Sequence, residues 1–450
     1  MGTALIILAA GKGTRMKSDL PKVLHQVAGA PLLIHAMDSG AALDPERIVV
    51  VAGHGAAAVE RAAKDRDDTA EVVRQDQQLG TGHAVRMARP ALDGFDGDVI
   101  VLYGDTPFIR PETLAALAAA RQVHDVVVLG FEAADPGRYG RLVTHGDTLE
   151  RIVEFKDADD HVRAITLCNS GVLAADAATL FDLLEAVTDD NAAGEFYLTD
   201  VPGLARARGL STGVVRCPEA ETLGVNSRAD LAVAEATFQA RARARALDSG
   251  VTLVAPETVV FAHDTVIGPD TVIEPYVVFG PGVTVENGAL IRAFSHLEGC
   301  HVSRGAQVGP YARLRPGAEL AEDVRIGNFC EVKNALIDAG AKVNHLSYIG
   351  DAQIGAGTNI GAGTITCNYD GVFKHRTEIG RNVFVGSSTM LVAPVRLGDD
   401  SMTASGSVIT RDVAAGDLAI ARGRQENKPG LARRMFEKLK AAKAKSRKGA

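Results

Sequence analysis

The stretch Ile354-Gly-Ala-Gly-Thr-Asn-Ile360-Gly-Ala-Gly-Thr-Ile365 sets two isoleucines six positions apart, each followed by Gly-Ala-Gly-Thr. The same spacing runs outward in both directions, from Val266 to Ile409. Upstream, large apolar residues recur every sixth position at Ile267, Ile273, Phe279, Val285, Ile291 and Leu297. After a five-residue step they resume at Val302, Val308, Leu314, Leu320, Ile326 and Val332. Further five-residue steps lead to Ile337, Val343 and Ile349, and then to Ile354 and Ile360. Past an irregular insert the series continues at Ile379, Val385, Leu391 and Leu397, and a small residue usually stands two places before each member. This period belongs neither to a helix nor to a simple strand. It fits a solenoid of short strands, three to a coil of about eighteen residues, with coils stacked roughly 4.8 Å apart. The large residue is expected to point inward at each corner, where the small one fits the taper.

The pattern resembles the left-handed parallel β-helix of hexapeptide-repeat acyltransferases, and the handedness is taken from that resemblance. Coils are expected from Thr252, with a loop at Asn368–Arg376 and loss of the repeat after Ile420. Before them, Ser227-Arg-Ala-Asp230 reads as a capping-box variant opening a helix to about Leu247, a rigid linker. Residues 1 to about 225 alternate apolar strand-like runs with amphipathic ones. Ala4–Leu8, Ile48–Ala52, Val72–Arg74, Val99–Tyr103 and Val126–Phe131 read as strands buried on both faces. Leu32–Leu43, Ala56–Ala63, Ala84–Ala88 and Pro111–Arg121 read as the helices between them. That order predicts a doubly wound, Rossmann-like α/β sheet with ligands beyond the carboxyl ends of its strands. The expected organisation is therefore a sheet domain over 1–226, a linker helix over 227–250, a solenoid over 251–425 and a basic tail over 426–450.

Chain length and charge narrow the function. With 450 residues, of which 46% are hydrophobic, two or more cored domains are expected. The net charge is −8, but Lys428–Ala450 holds nine Lys/Arg and one Glu, so that end carries +8 and the remainder −16. An acidic body argues against nucleic acid as the main partner; the basic end reads as a solvated terminus that could touch nucleic acid or anionic lipid. Five cysteines without a CxxC pair fit a reducing compartment rather than a disulfide framework or structural zinc. The N-terminus has no charged segment leading a long apolar run, and no transmembrane span is evident, so a cytoplasmic protein without stable membrane insertion is expected.

Leu8-Ala9-Ala10-Gly11-Lys-Gly13-Thr-Arg15-Met follows the first strand directly. Small residues there let a ligand approach the main chain, whose N–H groups can cradle phosphate. Arg15 and Lys22 add charge suited to a polyphosphate. Neither a P-loop nor a dinucleotide fingerprint is present. Asp105 ends Val99-Ile-Val-Leu-Tyr103-Gly104-Asp105, a position suited to holding Mg²⁺ on substrate phosphates or, alternatively, to capping the helix at Pro111.

These segments, with Pro21-Lys22-Val-Leu-His and Gln75 before Leu-Gly80-Thr81-Gly-His-Ala, resemble the nucleotidyltransferases that make nucleoside-diphosphate sugars. Gly140 in Arg-Tyr-Gly-Arg, Glu154 in Val-Glu-Phe-Lys, Asn169-Ser-Gly and Gly-Val-Asn226 extend the resemblance. It implies that a sugar 1-phosphate attacks the α-phosphorus of UTP and pyrophosphate leaves. Asp105 and Asn226 would hold Mg²⁺, Arg15 and Lys22 would steady phosphates, and Gln75 with the Gly80-Thr81 backbone would read uracil. Gly140, Glu154 and Asn169 would grip the sugar, with Leu8, Ala9, Ala10, Gly11, Tyr103 and Gly104 completing the nucleotide site. Glu154 could instead be a surface partner of Lys156.

Inside the repeat stands Asn344-His345-Leu-Ser-Tyr348, preceded by Arg313-Leu-Arg315 and Glu331-Val-Lys333. It is followed by Asn359 and Gly361-Ala362-Gly-Thr-Ile-Thr-Cys-Asn368-Tyr369-Asp-Gly. At about eighteen residues per coil these residues should stack along one edge. A lone histidine there is by default a solvated corner residue. Beside Arg315 and Lys333, which suit a sugar phosphate, it can instead be a base near neutrality, oriented by Glu331. Over nearly its whole length the chain resembles the bacterial family of bifunctional N-acetylglucosamine-1-phosphate uridylyltransferase/glucosamine-1-phosphate N-acetyltransferases, which feed peptidoglycan and lipid A precursors. The resemblance implies that His345 deprotonates the amine attacking acetyl-CoA, and that Arg315, Lys333, Tyr348 and Asn359 bind the amino-sugar phosphate. Ala362, Asn368, Tyr369, Ser387, Ser405 and Arg422 would line the acetyl-CoA site of a homotrimer. Ser405 stands where the family has alanine, and the segment after Arg422 departs from it.

Two rival readings use the same residues. A nucleotidyltransferase whose solenoid only regulates or assembles it leaves His345, Arg315 and Lys333 without a use. A zinc hydratase would draw on His296 and His301, for which no third ligand is evident.

Overall fold

The computed structural model describes residues 2–146 and 148–446. Residues up to Arg245, together with Val260–Thr265, form one compact unit; Ala246–Val259 and the residues from Val266 onward form a second.

In the first unit the described residues form a nine-stranded sheet. Its strands are β1 Gly2–Ala9, β2 Arg47–Ala52, β3 Glu71–Arg74, β4 Gly97–Tyr103, β5 Val126–Glu132, β6 Arg141–His145, β7 Thr148–Val153, β8 Leu167–Asp176 and β9 Thr212–Cys217. The order across the sheet is β3-β2-β1-β4-β8-β5-β9-β7-β6. β1 pairs in parallel with both β2 and β4 (Ile6 opposite Val49 and Val101), whereas β8 runs antiparallel to β4 and β5. Successive residues of β1 enter opposite cores: Leu5 and Ile7 on one face, Ala4 and Ile6 on the other, all fully buried. This two-sided burial explains the unbroken apolar runs. The expected helices appear as Leu32–Ala41, Ala56–Arg66, Thr81–Met87 and Pro111–Ala120. Because the chain leaves β1 toward β2 on one side and later returns to β4 on the other, the crevice opens beyond the carboxyl ends of β1 and β4.

The helix Arg228–Asp248 starts with a reciprocal cap. The Asp230 carboxylate accepts from the N–H groups of Asn226 (3.0 Å) and Ser227 (2.9 Å), while the Ser227 hydroxyl accepts from the Asp230 N–H (3.2 Å). The helix packs within the first unit, where Gln239 Nε2 donates to the Phe261 carbonyl at 2.7 Å and the Glu235 carboxylate accepts from the Ala28 N–H at 2.7 Å. The His263 N–H donates to the Ala28 carbonyl at 2.9 Å, so Val260–Thr265 returns to the sheet unit after the chain has begun its coils at Thr252–Leu253.

The second unit is a parallel β-helix. Val272 pairs with Leu290, Leu290 with Gln307, Gln307 with Arg325, Arg325 with Lys342 and Lys342 with Asn359, one coil apart each time. Asn359 then pairs with Phe384, because the insert around Asn368–Arg376 lengthens that coil. The large apolar members from Ile273 to Leu397 are buried, as are the small residues two places before them, such as Ala306, Ala312 and Thr358. One expectation is corrected: the large residue does not stand at the corner. It lies in a short strand, and the corner usually follows three residues later, at a residue with left-handed backbone such as Tyr276 (φ 60°), Phe294 (60°), Tyr311 (56°), Phe329 (54°) and Leu346 (52°). Four of these corners form an exposed aromatic ladder, with ring centroids 5.0, 4.9 and 5.1 Å apart. Stacking at the coil spacing offsets the backbone strain that a non-glycine residue incurs there.

Beyond Ala419 the repeat ends, and the helix Leu431–Ser446 carries the basic tail; its last four residues, 447–450, lie outside the described residues. No helix among the described residues is long and apolar enough to cross a membrane.

Candidate active sites

The first site lies over β1 and β4. Leu8, Ala9, Ala10, Gly11, Lys22, Gln75, Gly80, Thr81, Tyr103 and Asp105 line one cavity of about 330 Å³, joined by Gln78 and Glu195. Gly104 lies behind this wall and donates its N–H to the Leu8 carbonyl at 3.0 Å, tying the two strand ends together. A Cβ on Gly11 would meet nothing within 4 Å, so its surface faces open space. Gly13 is required for another reason: its φ is +59°, and a Cβ there would stand 2.7 Å from Lys22 Cβ. The loop thus brings Lys22 in, and its Nζ donates to both Asp105 Oδ2 and Asn226 Oδ1, the latter at 3.0 Å. The Arg228–Asp248 cap holds the Asn226 backbone at this point. Two side-chain oxygens converging on one cation are the donor type a hard divalent ion takes, so Asp105 and Asn226 fit the Mg²⁺ expected there.

The helix-capping alternative for Asp105 is set aside. Pro111–Ala120 is served instead by Glu221, which accepts from the Arg110 N–H at 3.1 Å and the Thr113 hydroxyl at 2.7 Å.

Gln75 is buried, and its amide nitrogen donates to the Gly80 carbonyl (3.0 Å) and to His83 Nδ1 (2.9 Å). Burial, and next the Arg86 charge, lower the His83 pKa, which keeps the ring neutral and able to accept. With both amide hydrogens committed, Gln75 Oε1 is left to face a ligand as an acceptor. Tyr103 is held as the neutral phenol: burial raises its pKa, followed by the Glu154 and Asp105 carboxylates.

A second cavity, of about 690 Å³, holds Arg15, Glu154 and Asn226 with Arg138, Tyr139, Lys156 and Tyr197; Glu195 lines both cavities. Glu154 is not a surface partner of Lys156. Its Oε1 accepts from the Thr199 hydroxyl at 3.1 Å, and burial raises its pKa. Gly140 and Asn169 meet through the Asn169 N–H and the Gly140 carbonyl at 2.9 Å, and a Cβ on Gly140 would stand 3.5 Å from Glu154 Oε1. Arg141, fully buried, shapes this loop by donating to the carbonyls of Gly137, Tyr139 and Arg163.

In the solenoid the register itself places the residues. Asn328 lies opposite His345. The pairing of Lys342 with Asn359 continues that line to Ala362, and the Gly363 N–H donates to the His345 carbonyl at 3.2 Å. The next coils bring Ser387 and Ser405, linked by Ser388 N–H to Ala362 O (2.7 Å) and Gly406 N–H to Ser387 O (2.8 Å). Arg422 ends the line by donating to the Ser405 carbonyl at 3.0 Å. His345 is exposed, and its Nδ1 lies 2.7 Å from Asn328 Oδ1. Asn359 belongs to the same ten-stranded sheet as His345, among the described residues.

Around the corner at Leu346 lie Glu331, Lys333 and Tyr348, with Arg315 at the end of the neighbouring strand. The expected single edge is therefore two faces meeting at a corner. Arg315 Nη1 donates to Glu331 Oε1 at 2.9 Å, and Arg313 stands 3.8 Å from the other oxygen, so Glu331 is paired with arginines rather than with His345. A Cβ on Gly350 would come 2.4 Å from the Tyr348 hydroxyl; glycine there lets the ring lie down. Asn368 donates to the Asp351 carboxylate, Asn334 reaches its other oxygen at 2.6 Å, and Tyr369 is exposed on the insert.

Asn328 and Lys374 were missing from the sequence reading. The neighbouring Lys333 lowers the Lys374 pKa, and Asp351 opposes that shift. The histidine pair weighed for zinc does not converge: His296 lies opposite Arg313, and His301 sits between Glu286 (3.2 Å) and Glu319 (3.5 Å). Among the described residues no group of three or more His, Cys, Asp or Glu gathers as a metal site.

A family model described as MobA-like NTP transferase domain matches residues 5–196, and one described as bacterial transferase hexapeptide (six repeats) matches residues 264–299. The chain is 70% identical to the "Bifunctional protein GlmU" of Ruegeria sp. (strain TM1040) over 449 residues, covering 100% of both chains. It is 70% identical to that of Ruegeria pomeroyi over 448 residues and 67% identical to that of Roseobacter denitrificans over 449, again covering 100% of both chains. Among solved structures, a UDP-glucose pyrophosphorylase complexed with UDP-glucose is similar over 54% of this chain and 100% of its own, at 19% identity and a TM-score of 0.45.

Proposed function

Because the chain belongs to the family of bifunctional GlmU proteins, we propose that its sheet unit and its solenoid each carry one of two successive transfers. The chain is a bifunctional transferase of UDP-N-acetylglucosamine synthesis. Acetyl passes from acetyl-CoA to glucosamine 1-phosphate, and UMP then passes from UTP to N-acetylglucosamine 1-phosphate, releasing pyrophosphate. The boundaries 1–226 for uridylyl transfer and 251–425 for acetyl transfer are part of the proposal.

In the sheet unit a phosphate oxygen of the sugar phosphate attacks the α-phosphorus, and the bond to the bridging oxygen of pyrophosphate breaks. No covalent enzyme intermediate is needed, so positioning and charge neutralisation do the catalytic work. Backbone N–H groups of the Leu8–Gly11 segment receive phosphate oxygens, and Lys22 and Arg15 offset their charge. Mg²⁺ on Asp105 and Asn226 would supply further positive charge to the reacting phosphate. Gln75 Oε1 accepts the N3–H of uracil, a donor that cytosine lacks. Glu154 accepts from sugar hydroxyls, and Gly140 leaves them room.

In the solenoid His345 donates its Nδ1–H to Asn328, which leaves the Nε2 lone pair for the substrate amine. As the amine nitrogen attacks the thioester carbon, its proton moves to Nε2, the C–S bond breaks, and the thiolate leaves to be protonated. Arg315, Lys333, Lys374, Tyr348 and Asn359 bind the amino-sugar phosphate; the line Ala362, Ser387, Ser405 and Arg422, with Asn368 and Tyr369, takes the coenzyme. Glu331 acts through Arg315. An exposed His345 with ligands split around a corner is an open site, and a neighbouring chain of a homotrimer would supply its missing wall. The setting proposed is cytoplasmic.

The observation that carries the reading is the single-file register Asn328–His345–Ala362–Ser387–Ser405. The test is to supply glucosamine 1-phosphate, acetyl-CoA and UTP and to follow free thiol and pyrophosphate separately. Thiol should appear without UTP, and pyrophosphate should appear from UTP and N-acetylglucosamine 1-phosphate without acetyl-CoA. Thioester consumption that requires UTP contradicts two independent sites.

A further inference from the structure

The two reactions leave one element unused. Every residue from Ala421 to Lys445 is exposed, including Leu431, Met435, Phe436 and Leu439 on the helix Leu431–Ser446. Leu431, Met435, Leu439 and Ala442 follow one another at i, i+4, i+8 and i+11, a single apolar stripe, with Phe436 on its border. Arg434, Lys438 and Lys445 flank one side of the stripe and Lys443 the other, with Lys440 and Arg433 further round toward the far face. The helix's one acidic residue, Glu437, lies on the far face. At about 1.5 Å per residue the helix is roughly 24 Å long. The irregular connector 423–430 that precedes it extends up to about 26 Å.

We propose that this helix is an interfacial anchor that lays its Leu431–Met435–Leu439 stripe into an anionic lipid surface, with the flanking Lys and Arg on the headgroups. Apolar side chains between two cationic borders match a surface that is oily inside and negative at its rim. Nucleic acid would satisfy the charges but leave Phe436 and Leu439 in water. A second copy of the same helix would cover the stripe but set cationic borders against cationic borders. The anchor would hold the chain, which has no spanning helix among its described residues, at a membrane face without inserting it, and it goes beyond the two transfers.

Full-length protein is floated with vesicles of phosphatidylcholine and with vesicles of equimolar phosphatidylcholine and phosphatidylglycerol, at low salt and at roughly 0.5 M salt. Co-flotation is expected with the anionic vesicles only, weakened severalfold by salt. Met435→Asp combined with Leu439→Asp should lower it roughly tenfold or more, while Met435→Leu keeps it; both proteins retain the two transfers. Flotation with neutral vesicles to the same extent, none with anionic ones, or full flotation of the double aspartate variant overturns the proposal. A changed sedimentation coefficient of that variant without lipid also overturns it, by assigning the stripe to another copy of the chain. So does retention on duplex DNA in place of vesicle binding.

Discussion

In the sheet unit, residues as distant in sequence as Leu8 and Glu195 line one cavity at the ends of two parallel strands, and Asn226 reaches its edge through Lys22. In the solenoid, Asn328, His345, Ala362, Ser387 and Ser405 come one from each coil and form a line along the surface. A wound sheet gathers loops from many places into one hollow, so its site has walls: Gln75 is buried, Tyr103 is enclosed, and Lys22 bridges Asp105 to Asn226. A coil adds one residue per turn to each line, so the solenoid's site is long and shallow, its imidazole is exposed, and Lys333 lies around a corner from it. The first geometry supplies walls from its own loops. The second needs a wall from elsewhere, which is why the proposed trimer bears on acetyl transfer more than on uridylyl transfer.

The sharpest way to break this contrast is to disable one site at a time. His345→Ala should lower acetyl transfer by roughly 10²- to 10⁴-fold, the usual contribution of a general base, and leave pyrophosphate release from UTP unchanged. Asp105→Ala should do the reverse, with a loss on the order of 10²- to 10³-fold. Thiol and pyrophosphate measured in parallel check both, and loss of both activities in either variant would mean that the sites are coupled.

A smaller effect is expected at Asn328, which acts through His345. Asn328→Ala removes one hydrogen bond, about 1.4 kcal/mol, and should lower acetyl transfer roughly tenfold. Asn328→Asp places a carboxylate beside the ring, favours the protonated imidazole, and should move the acid limb of the acetyl-transfer pH profile to higher pH. A merely structural role for Asn328 would reduce the rate without moving that limb.

The solenoid was legible because its inward side chains report burial directly: each sixth residue is apolar, and from Ile273 to Leu397 each is in the core. The corners were misplaced because nothing about Phe294 or Leu346 as residue types announces a left-handed backbone; stacking between coils selects it. In the sheet, the strands ending in Ala9 and Tyr103 were plain because burial on both faces leaves an unbroken apolar run. The strands Arg141–His145 and Thr148–Val153 carry polar and half-exposed residues and gave no such run. Gly11, Lys22, Gln75 and Asp105 stood out through their motifs. Asn328 stood one coil before His345 and was within reach of the repeat arithmetic. His83, Arg141 and Lys374 owe their roles to tertiary neighbours that no local spacing encodes.

The finest test of the enclosed site concerns Glu154. Burial, with further contributions from Asp157, Asp200 and Glu195, raises its carboxyl pKa above the ordinary 4.5, and the Thr199 hydrogen bond only partly opposes this. In the fold this carboxyl therefore keeps its proton at pH values where the unfolded chain has lost it. Its contribution to stability is complete below 4.5 and declines as pH rises through the folded value. Glu154→Gln has no charge to bury, so its stability relative to the parent should be unchanged in acid and should become greater as pH rises toward neutrality. Chemical unfolding at both ends of that range checks the sign. The same variant should raise KM for the sugar phosphate severalfold with little change in kcat for uridylyl transfer, as removal of a ligand felt equally in ground and transition states does, and should leave acetyl transfer untouched. A Gln variant less stable than the parent at neutral pH would mean that Glu154 is held by a charge partner, and the enclosed character claimed for the first site would weaken accordingly.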